Sequence, residues 1–247
     1  MGFMGHIVAG YPDIETSYKA AMGILEGGAD FLEIQFPFSD PFADGPLLEM
    51  ACKETLSHGV KIEDCFYLSE KICRDNSSPI LIMTYANIIY KYGVEAFIKR
   101  AAAIGIQGII VPDLPPENDE GVMEVCDVNN ICPILLAAPG NTNERIQFLS
   151  EKGKGFLYTV SRSGVTGKKT SMDHSVQEWI NSVKKHSTLP IAVGFGINTP
   201  QQIKAIKPYC DITIAGSFFK REIQTAINEQ LDIFTHLKKM TKWLLGQ

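Results

Sequence analysis

Eight short apolar runs, each followed by a stretch of helical periodicity, predict an α/β chain folded as a (β/α)8 barrel. Two further observations support that class. The runs are nearly continuous in Ile, Leu, Val and Phe rather than alternating, as strands buried on both faces of a parallel sheet are. No GxGxxG follows the first run, which removes the main sequence argument for a doubly wound dinucleotide fold. No low-complexity segment marks a boundary, so residues 1–247 are read as a single domain.

Strand 1 is "FMGHIVA" (3–9). The segment "IETSYKAAMGILEGGA" follows, with Tyr18, Ala21, Met22 and Leu25 at helical spacing and Gly27-Gly28 as the stop. Strand 2 is "DFLEIQ" (30–35), strand 3 "PILIMT" (79–84) and strand 4 "GIIV" (108–111), with the helical "GVEAFIKRAAAIGI" between the last two. Strand 5, "CPILLAA" (132–138), leads into the helical "TNERIQFLSEKG". Strands 6 to 8 are "GFLYTV" (155–160), "PIAVGF" (190–195) and "DITIAG" (211–216).

A barrel concentrates function at the C-terminal ends of its strands and in the loops that follow. Polar residues at those ends are Glu33, Gln35, Tyr85, Asn87, Asp113 and Tyr158, then Ser161, Arg162 and Ser163. Glycine-rich turns follow strands 6, 7 and 8: "SRSGVTG" (161–167), "GFGI" (194–197) and "AGSFFK" (215–220). Glycine lets backbone N–H groups come close to a phosphate, and a following helix N-terminus adds a favourable dipole. "AGS" opening into "FFKREIQ" fits a short extra helix of that kind. Each turn alone could merely end a strand. Three together, at the strands where barrels hold phosphate, point to a phosphorylated ligand.

"LEIQFPFSDPFADGP" (32–46) sets Glu33, Asp40 and Asp44 among aromatics. Alternation puts Phe31, Glu33 and Gln35 on one strand face, and Leu32, Ile34 and Phe36 on the other. If the odd face points inward, Glu33 reaches the upper barrel interior, where a desolvated carboxyl can both take and give a proton. A buried glutamate held by a distant Lys or Arg is the competing reading. Asp40, in "SDP", reads as a turn former. Asp44, in "ADGP", is divided between turn and catalyst.

Bulk composition excludes several classes. Hydrophobic content of 45% with 21% charged residues is that of an ordinary globular chain. A net charge of −5, with basic clusters no longer than "KKH" (184–186), argues against nucleic acid as a partner. The six cysteines form no CxxC pair and keep no metal-ligand rhythm with the five histidines, so neither disulfides nor a bound metal is expected. No run is long enough to span a bilayer, and the start has no signal-peptide pattern, so a cytoplasmic location is expected.

"LEIQFPFSDPFADGP" resembles the signature LE-[LI]-G-x-PFSDP-x-ADGP of the tryptophan synthase alpha subunit family. The similarity continues through "MTYANIIYKYG" (83–93), "VPDLPPEN" (111–118), "YTVSRSGVTG" (158–167), "GFGI" and "IAGSFFK", in order, from about residue 7 to residue 221. The resemblance implies a TIM barrel that cleaves indole-3-glycerol phosphate to indole and glyceraldehyde 3-phosphate. It also implies an α2β2 complex in which indole passes to a pyridoxal-phosphate-dependent beta subunit, with no cofactor in this chain. Glu33 and Asp44 match the family's catalytic carboxylates. Tyr158 matches the tyrosine beside the glycerol chain, and Tyr85 and Phe195 match indole-pocket residues. Gly167, Gly194, Gly196, Gly216 and Ser217 match phosphate-binding positions. Thr166 matches the threonine of a loop that closes over the site, and Asp113 an aspartate that communicates with the beta subunit.

Three features depart from the pattern. Gln35 stands where the family usually has glycine, and its amide could crowd the pocket or bond a catalytic carboxylate. His6 stands where an aromatic residue is more usual; a pocket-wall histidine with a satisfied polar partner is expected rather than a new catalyst. Strand 1 begins almost at the first residue, so the short helix that usually precedes it is not expected. These departures keep open a catalytically weakened subunit that mainly activates its beta partner. Isomerases and synthases of related phosphate-binding barrels are a weaker alternative, since they lack PFSDP-x-ADGP.

Overall fold

The computed structural model describes residues 1–160, 174–194 and 196–247. Its strands are β1 (Gly2–Val8), β2 (Phe31–Gln35), β3 (Ile80–Met83), β4 (Gly108–Ile110), β5 (Cys132–Ile134), β6 (Leu136–Ala137), β7 (Leu157–Val160), β8 (Ile191–Gly194) and β9 (Ile212–Ala215). All neighbours pair in parallel, in the order β5-β4-β3-β2-β1-β9-β8-β7-β6. The two ends of that order are consecutive pieces of one run, so the sheet curls into a nearly closed barrel. The predicted strand 5 is therefore two short strands, broken at Leu135. β5 pairs with β4, while β6 pairs with β7. Pro133 lacks an N–H, which limits what this stretch can offer a neighbour. The carbonyls of Pro133 and Leu135 still accept from Lys154 N (3.0 Å) and Tyr158 N (2.9 Å), stitching both pieces to the β7 side.

The helices are α1 (Ile14–Glu26), α2 (Pro46–Ser57), α3 (Ile62–Asp75), α4 (Ala86–Tyr92), α5 (Val94–Ala103), α6 (Val122–Val128), α7 (Asn143–Lys152), α8 (His174–His186), α9 (Pro200–Ile206), α10 (Ser217–Asn228) and α11 (Ile233–Leu245). Asp13 caps α1 by accepting from Thr16 N at 2.8 Å, and Gly28, at φ +105°, ends it in a conformation few other residues adopt. α11 lies against α1 so closely that a Cβ on Gly23 would come within 2.6 Å of the Phe234 carbonyl oxygen. The extra helix read in "SFFKREIQ" is α10, three turns long, and it precedes the helix that closes the outer ring.

Strand alternation sorts the core into two parts. Ile7, Leu32, Ile34, Phe36, Ile82 and Val193 face the helix layer. Met4, Leu81, Met83, Ile110, Ala192 and Ile214 fill the barrel interior. Behind β2, the Phe36 ring meets Phe66 edge-on at 5.2 Å and Phe97 at 6.0 Å, where edge-to-face geometry is favourable. Burial of these rings fixes the outward face of β2 and leaves Glu33 and Gln35 pointing inward.

Candidate active site

Glu33 sits near the C-terminal end of β2 with 2% of its surface exposed. In the β1–β2 register His6 pairs with Glu33 and Val8 with Gln35. Paired residues of adjacent parallel strands project to one side, so the imidazole and the carboxylate share the inner face. His6 Nδ1 lies 3.3 Å from Glu33 Oε1. Among the described residues, the partner of this buried glutamate is the histidine, not a lysine or arginine. Glu33 Oε2 is buried and has no hydrogen-bond partner among the described residues. A buried carboxylate oxygen without a donor is costly unless a ligand supplies one.

The loop after β2 delivers the second carboxylate. Asp40 is exposed and purely local: its carbonyl accepts from Phe42 N (2.9 Å), and its carboxylate from Ser39 Oγ (2.5 Å). Asp44 is 5% exposed, at a bend just before α2. It accepts from Gln35 Nε2 at 2.5 Å and from the Tyr85 hydroxyl at 3.4 Å. Burial pushes its carboxyl up from 3.8 to about 6, against the lowering effect of His6 and of these hydrogen bonds. Burial alone would hold the His6 imidazole down, but the Glu33 and Asp44 charges outweigh it and raise it above 6.5.

Tyr85 is fully buried where β3 gives way to α4. Its ring stacks on Phe38 with centroids 5.0 Å apart, and its hydroxyl accepts from Ala43 N at 3.2 Å while donating to Asp44. It thereby ties the 36–45 loop to the barrel. Asp113 does a similar service one strand on, accepting from Ala86 N at 2.9 Å and holding the start of α4. Beneath Asp44, Gln35 Nε2 also lies 3.4 Å from Cys52 Sγ on α2.

Glu33, His6 and Asp44 line one cleft together with Tyr158, Met83 and Leu136. Tyr158 is held in its protonated form by burial and by the negative potential of Glu33 and Asp44. Gly194, Gly196, Gly216 and Ser217, at the ends of β8 and β9, line the same cleft beside His6. Gly196 has φ +64°, and Gly216 packs on His6, where a Cβ would sit 3.4 Å from the ring. Ser217 is the first residue of α10, whose N-terminus therefore opens onto the cleft. The pocket thus has an acid–base side and an anion side. Phe195, Thr166 and Gly167 lie outside the described residues. Among the described residues no group of His, Cys, Asp and Glu is arranged to hold a metal ion, and no helix is long and apolar enough to cross a membrane.

Strand alternation pointed to Glu33, and the resemblance added Asp44, Gly194, Gly196, Gly216 and Ser217; all of these line the cleft. Sequence reasoning missed Cys52 as a floor beneath Gln35 and Tyr85 as the tether of the loop. It named both His6 and Gln35 without seeing that they join the two carboxylates; only the β1–β2 register reveals that.

Comparison with known proteins agrees with the geometry. A family model described as tryptophan synthase alpha chain matches residues 1–244. The tryptophan synthase alpha chain of Helicobacter hepaticus is 45% identical over 244 residues, covering 96% of this chain and 91% of the relative. That of Syntrophotalea carbinolica is 41% identical over 214 residues, covering 87% and 85%. Among solved structures, tryptophan synthase of Mycobacterium tuberculosis superimposes with a TM-score of 0.89 at 31% identity, covering 98% of this chain and 90% of that one. A chain of the tryptophan synthase complex of Pyrococcus furiosus gives 0.89 at 29% identity, covering 100% and 98%. With two carboxylates in a barrel-top cleft, a glycine-rich flank in the same cleft and a family match along nearly its whole length, the chain belongs to the tryptophan synthase alpha chain family.

Proposed function

We propose that this chain is a carbon–carbon lyase that cleaves indole-3-glycerol phosphate to indole and glyceraldehyde 3-phosphate. The observation that carries the reading is the pairing, in one cleft, of a buried Glu33 with an unpartnered oxygen and a buried Asp44 held from behind. The substrate phosphate belongs at Gly194, Gly196, Gly216 and Ser217, where backbone N–H groups and the α10 dipole favour an anion. The indole N–H belongs at Asp44, whose negative charge offsets the positive charge of the indolenine formed when C3 is protonated.

Glu33 gives the proton to indole C3. As the C3–C bond breaks, its electron pair returns to the indole ring, and Glu33 takes back the proton of the adjacent glycerol hydroxyl. The products are neutral indole and the aldehyde, and the carboxyl ends as it began. Tyr158, kept protonated, can hydrogen-bond the glycerol chain meanwhile. General acid–base assistance is worth roughly 10²–10⁴-fold in rate.

The solved relative of Pyrococcus furiosus is named as a tryptophan synthase complex, and an α2β2 assembly with a pyridoxal-phosphate-dependent beta subunit is the reading here. Its chemistry would consume the indole, and its cofactor would sit in the partner, with none in this chain. Phe42, 65% exposed on the loop that carries Asp44, and Met50, 60% exposed on α2, offer apolar surface next to the cleft for such a partner. A cytoplasmic setting suits that chemistry. Indole release from indole-3-glycerol phosphate, with and without the beta subunit, tests the reading for wild type, Glu33→Gln and Asp44→Asn. Wild-type turnover with a loss of at least 10²-fold in each variant is expected. A wild type silent even in the complex overturns the lyase, and an unimpaired variant overturns that residue's role.

A further inference from the structure

The two carboxylates are joined by a continuous chain of polar contacts. Glu33 Oε1 lies 3.3 Å from His6 Nδ1, His6 Nε2 lies 3.0 Å from Gln35 Oε1, and Gln35 Nε2 lies 2.5 Å from Asp44 Oδ2. All four side chains are at most 5% exposed, so water does not compete for these groups. Hydrogen-bond chemistry then fixes the chain's polarity. An ionised Asp44 only accepts, so Gln35 turns its NH2 toward it and its carbonyl oxygen toward His6. That oxygen requires a hydrogen on His6 Nε2. The Nδ1 atom is left to share one proton with Glu33, as imidazolium and carboxylate or as neutral imidazole and carboxylic acid.

We propose that His6 and Gln35 are positioning residues which hold one proton on the Glu33–His6 pair while keeping Asp44 ionised. The proposal rests on the retro-aldol reading for its kinetic consequence, since that chemistry needs a protonated Glu33 and an ionised Asp44 together. Two carboxylates sharing a dry cavity would otherwise compete for a single proton. The bridge assigns it: of the two carboxylates Gln35 donates only to Asp44, its other donor contact being Cys52 Sγ at 3.4 Å, and His6 stores the proton beside Glu33.

Among the described residues, few titratable groups surround His6. β2 presents Glu33, the 36–45 loop Asp44, β7 Tyr158, α2 Cys52 and the start of α4 Tyr85. β9 and the start of α10 contribute Ile214, Gly216 and Ser217, which carry no charge. Tyr85, Tyr158 and Cys52 are all pushed upward and stay protonated, so among the described residues Glu33 and Asp44 set the charge that His6 experiences.

Two measurements test this. In the complex with the beta subunit, the pH profile of kcat/KM for indole formation is compared in wild type, His6→Gln, His6→Phe and Gln35→Met. His6→Gln and His6→Phe differ in packing but share the loss of a titrating group. Both are expected to move the alkaline limb at least one pH unit lower, lowering kcat more than KM. Gln35→Met is expected to move the acid limb upward. Limbs that coincide with wild type overturn the proposal even where rates fall, because damaged packing alone lowers rate without moving a limb. The second measurement does not need turnover. In 15N spectra of imidazole-labelled protein, with His6 assigned by its loss in His6→Gln, Nε2 is expected to stay protonated throughout while Nδ1 titrates. The midpoint should fall by at least one unit in Glu33→Gln. An unchanged midpoint, or titration at Nε2, overturns the proposal, whatever the wild type does with indole-3-glycerol phosphate.

Discussion

Replacing Asp44 by Asn isolates what its buried charge costs the fold. The carboxyl is pushed from 3.8 to about 6 in the folded chain, burial being the main cause. Between those values the folded state binds the proton more tightly than the unfolded state does. Unfolding free energy therefore falls as pH rises through that window and stays low above it. A rise of roughly two pH units at about 1.4 kcal/mol each amounts to about 3 kcal/mol. Asn keeps the shape and still offers Gln35 an acceptor, but carries no charge. Its stability relative to wild type should thus be constant below pH 4 and climb by about 3 kcal/mol by pH 7. For a chain of this size that is about 6–12 °C in melting midpoint. Thermal or urea unfolding of both chains from pH 4 to 7 measures it. A difference that does not change with pH, or that narrows as pH rises, would refute the account of Asp44 as a strained, ionised group. The same substitution should abolish cleavage, so the residue that destabilises the fold is the one the chemistry uses.

Two further outcomes follow from the geometry. The kcat/KM for indole formation should decline below about pH 6 as Asp44 takes up its proton, and Tyr85→Phe, which removes a donor from the ionised form, should shift that limb upward; a limb that ignores Tyr85 would dissociate it from Asp44. Gly23→Ala puts a methyl within 2.6 Å of the Phe234 carbonyl oxygen and should destabilise the α1–α11 contact by about 1–3 kcal/mol, read by urea unfolding, with cleavage per folded molecule unchanged.

Much of this architecture was legible because it follows from local rules. Period-two alternation in β2 put Glu33 and Gln35 on one face, which the packing of Phe36 on the other then turns inward, and glycines ending in a helix start marked the anion side. The fifth strand was not legible as two. "CPILLAA" is uniformly apolar, and nothing in it signals that the chain bends at Leu135 to pass from one neighbour to the other. Asp40 and Asp44 look alike in sequence, each followed by a turn-forming residue, and differ only in what the folded loop covers. The link between His6 and Gln35 lay beyond sequence reasoning for a different reason. They are 29 residues apart, and they meet only because β1 and β2 pair with His6 opposite Glu33. Parallel register is set through the packing of the intervening α1, not by any turn chemistry in the segment itself.

The aromatic cluster behind β2 also governs how the chain can change length. Phe36 is wedged against Phe66 and Phe97, while Glu33 and Gln35 project the other way, and Asp30 pins the strand's entry by accepting from Phe3 N at 2.7 Å. Deleting or inserting a single residue between 30 and 36 would swap the two sets together, sending a carboxylate into the oily layer and a phenyl ring into the cleft. Substitutions there can be absorbed one at a time; a frame of odd length cannot. Variation in the length of this chain near its acid–base centre is thereby confined to the loop beyond Phe36, where Tyr85 ties down whatever lies between it and Asp44.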